Sequence, residues 1–218
     1  MDNRNIDIMF NLMRQLILIS LAMTVAITFA QSSSQLAGRV VAARGQVEVI
    51  HADGSRGILE RRSEILVGDT INTTADAWIQ IRFTDSAILS LNCNSSLSIN
   101  EYQYQDSNSD RATLYLRRGR ARTITGSIQR VNYRFITDFA DVYIDGADFE
   151  VEAESRFSYV FGVYDGTIRV RNAYGLAVLG VGSNSNFARV EAGSAPQALS
   201  YDPFSNLTTI LNFDEVAC

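Results

Sequence analysis

Asp148, Glu150, Glu152 and Glu154 stand at every second position of one stretch, and Arg118, Arg120 and Arg122 do the same earlier with opposite charge. Side chains of an extended strand alternate between faces, so each stripe belongs to one face, with Phe149, Val151 and Ala153 on the other side of the acidic one. Three readings stay open. The ordinary one is a solvated acidic face. The stripes could instead pair across neighbouring strands, where facing opposite charges contribute roughly 0.2–1 kcal/mol each. Carboxylates so spaced could also serve a Ca²⁺ or glycosidase site.

Other chemistry is thin. Nucleophilic catalysis needs a base beside the nucleophile, and His51 is the sole imidazole. Its place before Asp53-Gly54 predicts a solvated turn residue. One histidine with two distant cysteines, Cys93 and Cys218, cannot close a zinc site. Gly180-Val-Gly-Ser183 lacks the lysine and the strand-to-helix setting of a phosphate loop and reads as a turn. No catalytic, cofactor-binding or metal-binding residue is assigned, no cofactor is expected, and the chain reads as a non-enzyme. Cys93 is expected either as a buried small hydrophobe or as the partner of Cys218. Tyr102, Tyr104, Tyr115, Tyr133, Tyr143 and Tyr159 lie on strand-like runs; most should bury the ring and keep the hydroxyl at a rim, and exposed ones could stack on sugars or anchor a protein.

The elements that must position these residues come from a chain of 218 residues, 46% hydrophobic and 20% charged, enough to bury a sizeable core. A net charge of −5 disfavours nucleic acid as a partner. All 19 basic residues are arginine, for which we have no physical account. Arg4 and Arg14 precede an apolar run of 14 residues, Leu16 to Phe29, with Ala30 and QSSSQ after it. That pattern predicts an export signal over residues 1–30, cut before Gln31 or retained as an anchor, and a periplasmic or secreted mature chain. The run is short of the roughly 20 residues a membrane span needs.

From Leu36 onward the pattern is all-β. Ile79, Ile81 and Phe83 alternate with Gln80, Arg82 and Thr84, and Ala87, Leu89, Leu91 and Cys93 resume the alternation after Thr84-Asp85-Ser86. Two strands and a tight turn follow, with one face buried and one wet. Leu114 to Arg122 reads as one strand that Gly119 lets bend. Tyr133–Ile136, Val142–Ile144 and Phe149–Ala153 read as separate short strands, and Phe157 to Val170 as a hairpin turning at Asp165-Gly166. Gly45-x-Val-x-Val, Gly166-x-Ile-x-Val and Gly119-x-Ala-x-Thr form a weak repeat. Many short strands fit a β-solenoid-like, sandwich or jelly-roll-like domain, and periodicity does not choose among them.

Seven segments in order resemble one family pattern: Gly45-Gln-Val-Glu-Val, Leu66-Val-Gly-Asp-Thr-Ile-Asn-Thr73, Ala77-Trp-Ile-Gln-Ile, Phe83-Thr-Asp-Ser-Ala-Ile-Leu-Ser-Leu91, Ser96-Leu-Ser-Ile, Leu116-Arg-Arg-Gly119 and Val163-Tyr-Asp-Gly-Thr-Ile-Arg-Val-Arg-Asn172. The chain resembles a FecR-domain protein over roughly residues 38–193. Membrane-bound members sense an occupied outer-membrane receptor and regulate a cytoplasmic sigma factor. The resemblance therefore implies a periplasmic signalling or protein-binding module of the cell envelope, with an envelope protein as partner. Only 15 residues precede the apolar run, so the expectation is a stand-alone exported form without the cytoplasmic anti-sigma segment. Two motifs depart from the family: Asp85-Ser86-Ala87 where Asp-Gly-Ser is usual, and Asp145-Gly146-Ala147-Asp148-Phe149 where Arg-Gly-Thr often precedes Asp-Phe. The expected layout is a signal over 1–30, a FecR-like β domain over 36–193 and a tail over 194–218. A glycan- or cell-wall-binding β module is the alternative.

Overall fold

In the computed structural model, residues 35–128 and 132–204 are described. The expected signal segment, the cut before Gln31 and Cys218 lie outside them. The described residues fall in one compact unit and contain no α-helix. Their strands, in chain order, are β1 (Leu36–Arg44), β2 (Val47–Ile50), β3 (Arg56–Ile58), β4 (Glu64–Leu66), β5 (Thr70–Thr73), β6 (Trp78–Phe83), β7 (Ile88–Leu91) and β8 (Ser96–Gln103). There follow β9 (Arg111–Arg118), β10 (Arg120–Ile124), β11 (Tyr133–Ile136), β12 (Asp141–Ser155), β13 (Ser158–Asn172), β14 (Gly175–Gly180), β15 (Phe187–Glu191) and β16 (Gln197–Leu199). Alternation of β-branched and aromatic residues with polar ones produces these runs, and Gly, Asp and Asn end them.

All strands join one sheet with two arms. One arm runs β3-β2-β5-β8-β9-β11 and the other β4-β1-β6-β7-β10; both end on β12. The first half of β12 pairs with β11 through Asp141–Tyr143, and the second half pairs with β10 through Asp148–Glu152. β13 runs antiparallel along the whole of β12, then carries β14 beside one half and β15 beside the other, with β16 paired to β15. The β9–β11 pair is parallel, and the rest are antiparallel. The sheet curls so that its arms face one another: Phe83 of β6 stacks on Tyr102 of β8 with centroids 4.3 Å apart, and the Tyr159 hydroxyl donates to the Arg117 carbonyl at 2.7 Å. Ile65, Ile71, Ile81, Leu89, Leu97, Leu114, Phe149 and Phe161 fill the enclosed core.

The long ribbon corrects two expectations. Asp165-Gly166 is not a hairpin turn, because β13 continues through it; the reversal is at Ser155–Ser158. The short strands read at 142–144 and 149–153 are one strand with a bulge at Gly146. A Cβ on Gly166 would stand 1.7 Å from the Gly146 carbonyl oxygen, so glycine here serves a close backbone crossing rather than a reversal. Gly119 likewise ends β9 rather than bending one strand, since a Cβ there would meet Ser95 Oγ at 2.0 Å. The chain crosses between the two arms at that point. Arg118 is thereby left on β9, off the face shared by Arg120 and Arg122.

The turn between β6 and β7 falls where the alternation breaks, and Ile79, Ile81, Phe83, Leu89 and Leu91 are buried as expected. The opposite face is exposed at Arg82 and Thr84, as expected, but not at Gln80 and Ser90. Gln80 and Ser90 are 8% and 2% exposed, and Gln80 Nε2 donates to Ser90 Oγ at 3.2 Å, with Ser90 opposite Arg122 on β10.

Candidate functional site

The charge stripes meet on the outward face where β10, β12 and β13 lie side by side. Register sets Arg120 opposite Glu152 and Arg122 opposite Glu150, yet the ion pairs run diagonally. Arg120 Nε donates to Glu150 Oε1, and Arg122 grips Asp148 with two bonds of 2.8 Å. The Tyr164 hydroxyl donates to Glu150 Oε2 at 2.8 Å, and the Arg122 guanidinium lies 4.4 Å from the Tyr164 ring centroid. Phe204 caps the cluster, its ring centroid 5.1 Å from Arg120, over a bare patch that Gly162 leaves on β13. Arg189 holds Glu154 at 2.6 Å.

The expected solvated face is thus a paired one at Arg120 and Arg122, which are 5% and 8% exposed. A buried guanidinium without a carboxylate would carry a large desolvation cost, so the diagonal pairs are what permit burial. The bond to Asp148 raises the Arg122 pKa further. Burial pushes the Tyr164 hydroxyl well above its usual value, with Glu150 adding to it. Glu152 is displaced from both pairs, and burial raises its carboxyl pKa against the pull of Arg120. The pairs engage both carboxylates and the Tyr164 hydroxyl, and they tie β10 to the ribbon. Among the described residues, no group of three or more His, Cys, Asp or Glu is placed to hold a metal ion.

Two turn carboxylates, Asp69 and Asp85, are buried where alternation alone assigns them no partner. Asp85, 1% exposed, accepts the Tyr102 hydroxyl at 2.5 Å and the amides of Ala87 at 3.0 Å and Ile128 at 3.3 Å. Burial, then the neighbouring Tyr133 and Asp85, keep the Tyr102 hydroxyl protonated far above its usual range. The legible signal was the Asp-Ser-Ala turn. Ser86 adopts φ 75°, the conformation for which Asp-Gly-Ser supplies a glycine. Asp69, fully buried, accepts His51 Nδ1 at 2.7 Å and the Leu66 amide at 2.8 Å. His51 is therefore a tethered residue with a 31% exposed side chain rather than a solvated turn residue. Cys93 is not a free thiol.

Tyr102, Tyr133 and Tyr159 are core residues, each 1% exposed. The exposed tyrosines are Tyr174, Tyr201 and Tyr164, none of them among the six expected on strands. Two concavities lie among the described residues. One, of about 420 Å³, is lined by Thr137, Asp138, Asp141, Tyr143, Arg171 and Asn172 between the β11–β12 and β13–β14 turns. The other, also about 420 Å³, is apolar and lies along Leu36, Val40, Val41 and Phe83. Among the described residues no helix is long and apolar enough to cross a membrane.

Fold and site together define an all-β domain whose buried ionic groups at Arg120, Arg122, Asp69 and Asp85 are paired or hydrogen-bonded. Residues 69–169, from the start of β5 into β13, match the family model of the FecR protein. The match is narrower than the 38–193 resemblance and leaves out β1–β4 and β14–β16. No curated protein matches the sequence. Two crystal structures of a proposed anti-sigma factor from Parabacteroides distasonis ATCC 8503 are similar, at 18% identity and TM-scores of 0.47 and 0.49. The alignments cover 62% of this chain and 61% of that one, so this chain spans less than two thirds of the relative's length.

Proposed function

We propose that the chain is an exported, non-enzymatic signalling module of the cell envelope that works by recognising another envelope protein. The FecR match over residues 69–169 carries this reading. The chemistry agrees with it: the Arg120–Glu150 and Arg122–Asp148 pairs and the Asp69 and Asp85 bonds occupy the buried ionic groups, so the surface is fitted for contact rather than for turnover. Cell fractionation tests the compartment, and crosslinking in intact cells followed by capture tests the partner. A reproducible envelope protein crosslinked to the chain is expected; recovery from the cytoplasm, or no crosslinked species, ends the reading.

The cleft at Asp138, Asp141, Tyr143, Arg171 and Asn172 favours a second reading, glycan binding, because it sets carboxylate, amide and guanidinium groups beside an aromatic ring. Retention of the purified chain on peptidoglycan or polysaccharide, lost in Asn172→Ala, supports that reading over the first.

A further inference from the structure

Among the described residues β14 forms an edge of the sheet and pairs only with β13. Its sequence, Gly-Leu-Ala-Val-Leu-Gly, has no charge and no proline, the devices that usually blunt such an edge. The Val181 amide donates to the Gly166 carbonyl at 2.9 Å, which sets the phase of the ladder. Gly175, Ala177 and Leu179 turn their main-chain groups to β13, so Leu176 and Val178 turn theirs to the open side. Ala195 and Pro196 approach Gly175 at one end, and the Ser185 carbonyl accepts the Gly180 amide at the other. The open stretch is thus Leu176–Val178.

Apolar side chains flank it on the outer face. Leu176 is 56% exposed and Val178 43%, with Tyr174 and Val181 more exposed still. One strand in, Arg171 and Arg169 stand opposite Leu176 and Val178, exposed and without an ion pair among the described residues. Asp141, opposite Arg171 on β12, is held by Arg134 at 3.0 Å, and Tyr143 faces Arg169. In a chain of net charge −5, Arg169 and Arg171 set two guanidinium groups without an ion pair among the described residues beside an apolar rim, with Asp138 and Asp141 near Arg171.

We infer that β14 is a docking edge that takes an extended segment of a partner protein as an added strand, with apolar residues over Leu176 and Val178 and carboxylates toward Arg169 and Arg171. Main-chain bonds to an open edge supply affinity, and alternate side chains supply selection. A second copy fits less well, since it would bring its own Arg169 and Arg171 toward the same face. The inference deepens the protein-recognition reading and rests on it.

Amide spectra of the full chain, titrated with the eight-residue peptide Val-Thr-Glu-Thr-Val-Thr-Glu-Thr, which sets valine and glutamate on one face, and with its counterpart carrying lysine for glutamate, test it. Shifts confined to residues 174–181 and the adjoining half of β13 are expected with the glutamate peptide, at least about tenfold weaker with the lysine peptide. Val178→Lys and the double change Arg169→Glu/Arg171→Glu should each weaken binding about tenfold or more at an unchanged melting temperature. Val178→Pro, tolerated because that amide faces outward, is the second check if lysine disturbs the edge. Equal binding of both peptides, shifts elsewhere, or self-association that Val178→Lys abolishes would overturn the inference. A crosslinked partner that persists with Val178→Pro removes the edge and leaves the module reading; no crosslinked partner for the unaltered chain removes the reading itself.

Discussion

The diagonal pairing of Arg120 with Glu150 and Arg122 with Asp148 puts two guanidinium groups where a strand's outer face would ordinarily be wet. Arg120→Met should cost about 3–5 kcal/mol, because it strands Glu150 nearly without solvent. The double variant Arg120→Met/Glu150→Met should lie within about 1–2 kcal/mol of the parent, read by urea unfolding as a thermodynamic cycle. Glu152 carries a different expectation. Its folded carboxyl binds a proton more tightly than the unfolded chain does, so it lowers stability as pH rises from the ordinary glutamate value through its raised one. Glu152→Gln should melt higher than the parent at pH 7 and no higher near pH 4; the opposite order would refute the assignment. At the turn before β7, Ser86 holds φ 75° and is exposed, so Ser86→Gly should gain a few tenths to about 1 kcal/mol. A loss there in thermal unfolding would mean that the serine side chain does something the geometry does not display.

The β12–β13 ribbon is the element on which both arms depend, and its two central glycines serve different ends. Gly146 has φ 60° and no atom near the position of a Cβ, whereas a Cβ on Gly166 would collide with the Gly146 carbonyl. Gly146→Ala should therefore cost only the left-handed backbone strain, about 1–2 kcal/mol. Gly166→Ala should cost more than about 3 kcal/mol, because backbone cannot give way as a side chain can. Comparable losses for the two in denaturant unfolding would show that the Gly146 carbonyl can yield to a methyl group at Gly166.

At the scale of the molecule, strands far apart in sequence are neighbours: β1 pairs with β6, β7 with β10, and β9 with β11. Loop closure must precede the reward of such contacts, so folding should take milliseconds to seconds rather than microseconds. Stopped-flow refolding measures this, and a microsecond phase carrying most of the amplitude would contradict the topology. The chain itself determined its all-β character, the turn at Thr84-Asp85-Ser86 and the core residues of β6 and β7, because a period of two with turn residues between runs is local information. It also carried the order of motifs that the FecR match bears out over residues 69–169. Tertiary structure alone decided that Asp165-Gly166 is a crossing rather than a turn, that Arg118 leaves the basic stripe, and that Arg120 finds Glu150 rather than Glu152. It also decided that His51 meets a buried Asp69, and that β14 keeps an open edge among the described strands. Each of these depends on which strand lies beside which and in what register, and alternation along a chain is the same whatever stands across from it.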